Sequence, residues 1–149
     1  MTINKGGMID ITEKKVVERR AVASGRIILR KESISAIAEG KTKKGDVLGT
    51  ARTAAVMAIK RTSEIVPFCH QIPITDVKVD FTLGRNYVDV KVEVKSLART
   101  GVEMESLTGA AVALLTVWDM VKYIEKNASG NYPSTKISDL RVVKKEVGL

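Results

Sequence analysis

Two runs of strict alternation stand side by side in the middle of this chain, and they limit what it can become. From Thr75 to Leu83, Val77, Val79, Phe81 and Leu83 fall on one side, with Asp76, Lys78 and Asp80 on the other. From Tyr87 to Val94 the pattern repeats with Val88, Val90, Val92 and Val94. Alternation with period two puts every second side chain on one face of a strand, so each run describes a strand with a wet face and a buried face. Gly84-Arg85-Asn86 between them supplies the turn of a hairpin. An isolated hairpin is marginal in water, so the rest of the chain must cover the apolar face and extend the sheet.

The flanking segments provide for both. Val16 to Leu29 alternates imperfectly, with Val17, Ala21, Ala23 and Ile27 able to share a face, and fits a long edge strand. Lys31 to Glu39 reads as a short helix ended by Gly40. Asp46 to Val66 carries Val47, Ala51, Ala54, Ala55, Ala58, Ile59 and Ile65 near helical spacing, and Pro67 stops it. Its alanines let a packing partner approach closely. Glu103 to Lys126 reads as a long helix, Asn127 to Pro133 as a loop and Lys136 to Val143 as a final strand. Strand, helix, strand, strand, helix, strand is the order of an α+β, ferredoxin-like fold, an antiparallel sheet with helices packed on one face. The 149 residues suit one domain, 1–149, with Met1 to Gly7 as a loose leader.

Composition removes several classes. Cys69 is the one cysteine, so no intramolecular disulfide forms. The start, Met1 to Asp10, lacks the apolar run of a signal peptide, and the apolar segment Ala110 to Val117 is soon broken by Asp119 and Lys122. A cytoplasmic protein with no membrane contact is expected. The net charge of +8 favours anionic partners, such as phosphorylated metabolites, nucleic acid or acidic lipid, or simply keeps the surface solvated.

Four groups of residues are able to carry chemistry, each beside a plainer reading. Lys41, Lys43 and Lys44 precede a helix N-terminus, whose free N–H groups and positive dipole suit a polyphosphate; equally, they are a solvated loop with Asp46 as cap. Cys69-His70 follows the same helix. With one cysteine and one histidine a zinc cluster would need carboxylates for its other ligands, and a Cys-His nucleophile pair is conceivable although adjacent residues rarely aim at each other; the plainer reading is a partly buried loop histidine. Glu103-Met104-Glu105 opens the second long helix, where acids suit the positive helix end. Asp119 and Lys122 lie three apart on that helix and can touch. They are either a surface ion pair or, in a partly desolvated site, an acid and an amine that trade protons with a substrate. Glu105 and Asp119, 14 residues apart, stand about 21 Å apart on one straight helix. Both can serve one compact site only if neighbouring chains complete each other or the helix starts later.

Taken together these segments resemble the cyclic pyranopterin monophosphate synthase family of molybdenum cofactor assembly. The resemblance rests on Met8-Ile9-Asp10-Ile11-Thr12 with Lys14, Arg19, Ala21, Ala23 and Gly25, and on Lys44-Gly45-Asp46-Val47-Leu48 with Ala51-Arg52. It continues through Lys60 to His70, Thr100 to Glu105 and Leu115 to Lys122, from about Met8 to Lys145. Gln71, Phe68, Val17 and Trp118 depart from its usual proline, leucine, threonine and tyrosine. The resemblance implies a lyase without metal or cofactor, acting on a cyclised dihydroguanosine triphosphate and releasing diphosphate. It implies a ferredoxin-like fold in a homohexamer, a trimer of dimers, with active sites at subunit interfaces. By position it implies Asp119 and Lys122 as catalytic. Phe68, Cys69, His70, Glu103, Met104, Glu105, Lys44, Arg19 and Lys145 then hold the substrate.

Two other classes compete. A ferredoxin-like RNA-binding domain would stack bases on strand aromatics, but Phe81 falls on the core side of its strand and aromatics are 4% of the chain. A Cys-His acyl-transfer enzyme lacks a visible third group to orient the pair.

Overall fold

A computed structural model describes residues 6–148. The first five residues of the expected leader lie outside the described residues; Gly6 and Gly7 are exposed. The elements are β1 (Val17–Ile28), α1 (Lys31–Glu39), α2 (Val47–Lys60), α3 (Thr62–Ile65), β2 (Ile74–Leu83), β3 (Tyr87–Ala98), α4 (Glu103–Glu125) and β4 (Lys136–Val147). The strands form one antiparallel sheet in the order β2-β3-β1-β4. The helices pack on one face, as the strand and helix order predicts.

β1 is not the edge strand its uneven pattern suggested. It lies inside the sheet, paired with β3 on one side and β4 on the other. The uneven pattern has a physical source. Its inward side chains are small because a helix lies close above them. A Cβ on Gly25 would stand 2.9 Å from Leu114 Cδ1. Its outward positions carry arginines that reach across the strands. Arg26 makes a two-bond pair with Asp89, at 2.7 and 2.9 Å, and Arg20 pairs with Glu93 and Glu146.

The helix expected over Asp46 to Val66 is divided. Asp46 caps α2 by accepting the Gly49 N–H at 3.1 Å. At Arg61 the backbone leaves helical geometry (φ −109°, ψ 11°) and the single turn α3 follows. The Thr62 hydroxyl donates back to the Ala58 and Ile59 carbonyls at 3.0 Å, satisfying the helix end where the break falls. β3 and β4 both run four residues beyond the expected ends, at Ala98 and Val147. Polar residues hid those turns of strand: Ser96 faces inward and donates to the Pro73 carbonyl, and Lys144, Lys145 and Glu146 interrupt the apolar pattern of β4.

α2 and α4 lie against each other through small residues. Ala51, Ala55, Gly109, Ala110 and Ala113 are buried, and a Cβ on Gly109 would come within 2.8 Å of Ile59. By length and composition α4 could cross a bilayer, but Ala110, Leu114, Val117 and Val121 on it are core residues above the sheet. Phe81 packs on the core side, as expected. Tyr87 lies on the open side of the sheet beneath the Arg26 guanidinium, 3.8 Å from its ring centroid. No base-stacking platform is laid out there.

Candidate active site

The expected residues gather into two clusters at opposite ends of α4. The first centres on Asp119. Lys122, one turn along the same helix, places its ammonium 3.1 Å from Asp119 Oδ1. Lys44 arrives from the α1–α2 loop and donates to Oδ2 at 2.9 Å. The loop can deliver it because Gly40 and Gly45 adopt positive φ (65° and 99°), which side chains disfavour. Asp46 acts as a helix cap, in line with the plainer reading of that loop.

The Asp119 site is open to water, with the side chain 55% exposed. Partial desolvation of the pair would raise a carboxyl pKa. The opposite shift is found: the hydrogen bond from Lys44, then that from Lys122, holds the Asp119 carboxyl below its usual range. Asp119 therefore rests as a carboxylate, a proton acceptor between two proton-bearing amines.

The second cluster gathers around the start of α4. Glu105 is buried. Its Oε2 lies 3.6 Å from Cys69 Sγ, and its Oε1 has no partner among the described residues. Burial pushes its carboxyl up. Burial, and next the Glu105 charge, pushes the Cys69 thiol up to about 11. A thiol held so high is a poor nucleophile at neutral pH, which counts against acyl transfer. His70 Nε2 lies 2.7 Å from the Ile9 carbonyl and donates to it. Phe68 and Met104 are exposed. With Ile9, Lys14, Cys69 and His70 they line an open pocket of about 510 Å³.

Glu103, Arg19 and Lys145 sit beside this pocket. Burial raises the Glu103 carboxyl, but the hydrogen bond from Lys145 at 2.5 Å, then one from its own backbone N–H, and the charges of Lys145 and Arg19 together offset it, and the net shift is downward. Arg19 is itself buried and donates through Nε to the Ala98 carbonyl at 3.0 Å and through Nη2 to the Arg99 carbonyl at 3.3 Å. Two of its three nitrogens thus hold the end of β3.

α4 is continuous from Glu103 to Glu125, so the two clusters stand about 21 Å apart along one chain. The alternative of a later helix start is removed. Tyr123, marked by no motif, joins the Asp119 cluster: its hydroxyl accepts the Lys43 N–H at 2.9 Å. Its one signal was an aromatic next to Lys122 on the same helix.

A sequence profile of the MoaC family matches residues 8–148. The chain belongs to the MoaC family. It is 56% identical over 138 residues to a "probable cyclic pyranopterin monophosphate synthase" of Methanococcoides burtonii, covering 93% of this chain and 87% of that one. It is 53% identical, with the same coverage, to the protein of the same name in Pyrococcus abyssi. A Methanothermobacter thermautotrophicus relative, 52% identical over 93% of this chain and 87% of its own, is named a "probable cyclic pyranopterin monophosphate synthase accessory protein". Both clusters fall within the span that the MoaC profile covers.

Proposed function

We propose that this member of the MoaC family is a cytoplasmic lyase that forms cyclic pyranopterin monophosphate, for molybdenum cofactor assembly, from a cyclised dihydroguanosine triphosphate. Forming a cyclic phosphate with loss of diphosphate needs a substrate hydroxyl to attack the α-phosphorus. One oxygen–phosphorus bond forms, the bond to the β-phosphate breaks, and the hydroxyl proton must leave. Asp119 is a carboxylate at rest and accepts a proton. Lys44 and Lys122 carry ammonium groups within 3.1 Å of it and offset the charge that gathers on the departing diphosphate. Phe68, Cys69, His70, Met104 and Glu105 grip the remainder of the substrate. Glu103, Arg19 and Lys145 complete the basic and acidic rim.

The observation that carries this reading is the carboxylate clamped between two lysines from separate elements. Its distance from the pocket at the other end of α4 supports a shared site in a homohexamer built from dimers. Met104, Thr108, Ala111, Leu115, Trp118 and Lys122 recur at steps of 4-3-4-3-4 on a side of α4 that the core leaves partly or fully exposed. Such a stripe has the spacing of a helix-pairing seam. Antiparallel pairing of two copies along this stripe would bring the Asp119 end of one α4 toward the Glu103 end of the other.

The test supplies the cyclised triphosphate and measures pterin product and diphosphate. Absence of both from folded protein would overturn the assignment in favour of an accessory role. Glu105→Ala and Asp119→Asn proteins, each inactive alone, are then mixed after reversible dissociation. A shared site predicts that activity returns. Confirmed subunit exchange without activity would place both residues in one chain's site.

A further inference from the structure

Tyr123 stands one residue beyond Lys122 and one turn beyond Asp119 on α4. Its hydroxyl accepts the Lys43 N–H at 2.9 Å, and the Lys43 ammonium lies 4.9 Å from its ring centroid. The next residue, Lys44, sends its ammonium to Asp119 instead. Two neighbouring lysines of equal chemistry are thus sorted to different places, and Tyr123 touches the one that is kept away.

The turn that carries them closes on itself. Gly45 N–H donates to the Thr42 carbonyl at 3.2 Å, the Thr42 hydroxyl bonds the Gly45 carbonyl, and Gly45 has φ +99°. Those contacts fix the shape of the turn and leave its placement against α4 open. Upstream, α1 is moored to α4 where Glu125 accepts from Arg30 N–H and Ser33. Downstream, α2 starts at the Asp46 cap. Between these points, the Tyr123 hydroxyl is the tie from an α4 side chain to the turn's backbone among the described residues.

We propose that Tyr123 is a positioning residue for the Asp119 site: its hydroxyl pins the Thr42–Gly45 turn and its ring holds Lys43 aside, so that Lys44 is the lysine delivered to Asp119. The aromatic face attracts a cation by its quadrupole, and the phenol oxygen is an acceptor at the height of the turn. Tyr123 acts through Lys44 and needs no contact with substrate. The inference rests on the reading of Lys44, Asp119 and Lys122 as the reacting centre.

Tyr123→Phe removes the hydroxyl and keeps the ring, while Tyr123→Ala removes both. Neither should endanger the fold, since Tyr123 is only partly buried. With the cyclised triphosphate as substrate, Tyr123→Phe should lower kcat/KM several-fold, the scale of one hydrogen bond. Tyr123→Ala should lose more, because Lys43 is also freed. Carboxyl NMR reads the placement directly. The charged groups facing Asp119 are Lys44 and Lys122, so loosening Lys44 should move the Asp119 titration up toward the ordinary carboxylate range. In a Lys44→Ala background, Tyr123→Phe should cost nothing further.

Unchanged kinetics and an unchanged Asp119 titration in Tyr123→Ala would overturn the proposal. So would losses that multiply in the double variant. If Lys44→Ala itself turns over at the wild-type rate, the catalytic reading of the cluster fails, and the Asp119 titration in the Tyr123 variants alone decides the positioning.

Discussion

Removing the Glu125 carboxylate should strand three donors and unfasten two segments, the start of α1 and the approach to β4, from α4 at once. The side chain is 1% exposed and accepts from the Arg30 N–H at 2.9 Å, the Ser33 hydroxyl, and the Thr135 hydroxyl at 2.5 Å. α1 has no side-chain cap of its own at Arg30, so Glu125 serves that helix end from another element. In Glu125→Ala the Ser33 hydroxyl, fully buried, loses its acceptor, and the nearly buried Thr135 hydroxyl does as well. Each stranded donor costs about 1–3 kcal/mol, and such losses add less than fully, which gives about 4 kcal/mol in all. Glu125→Gln keeps the volume and one acceptor oxygen, and the hydroxyls can rotate to meet the amide, so about 1–2 kcal/mol is expected. Urea unfolding followed by circular dichroism, at one fixed protein concentration, reads both values. For a chain of this size the alanine variant should melt about 8–16 °C lower. A loss under about 1 kcal/mol in Glu125→Ala, or a glutamine variant weaker than the alanine one, would refute this account of what the carboxylate does.

Lys44→Ala should weaken binding of a triphosphate analogue by about 1.5–3 kcal/mol, the worth of a charge-assisted contact, and unchanged isothermal calorimetry would return Lys44 to the solvated surface. Arg19→Ala should cost about 2 kcal/mol of folding stability, because the Ala98 and Arg99 carbonyls lose a charged donor, so chemical denaturation at wild-type strength would contradict that role. With its thiol raised from 9.0 to about 11, Cys69 should be alkylated by iodoacetamide at pH 8 roughly 100-fold more slowly than a free thiol; a free-thiol rate would show that the site is open. Burial raises the Glu105 carboxyl above 4.5, so the folded state holds this proton more tightly than the unfolded one. Stability should therefore fall as pH climbs from the unfolded value through the raised folded one. Glu105→Gln should flatten that slope in thermal unfolding between pH 4 and 8, and parallel curves would show that Glu105 does not titrate there.

The hairpin and both long helices were legible because alternation and helical spacing state which face is buried. The position of β1 was not, because pairing order is a long-range property that local periodicity does not encode. The i,i+3 spacing announced the contact of Lys122 with Asp119. The arrival of Lys44 depends on two glycine turns and a tyrosine hydroxyl, none of which has a sequence period. The resemblance names Arg19 as a substrate contact, and no local pattern announced that the structure would bury it on two carbonyls at the end of β3. Glu125 gave no signal, since a buried acid at a helix end looks like any polar residue until its three donors are brought together.

The interior place of β1 bears on how the chain is made. Among the described strands it is the earliest made, and both its neighbours are synthesised later. Arg20 and Glu146, bonded across β1 and β4, are 126 residues apart in the chain. Until β4 emerges, one side of β1 offers unpaired N–H and C=O groups to any extended peptide nearby. Arg20 and Arg26 place positive charge on that waiting strand, which opposes pairing with a second copy of itself. Pairing over such a separation is slow compared with helix formation. A nascent chain halted before Lys136 has only three of the four strands, and β1, an inner strand of the finished sheet, is then still an edge.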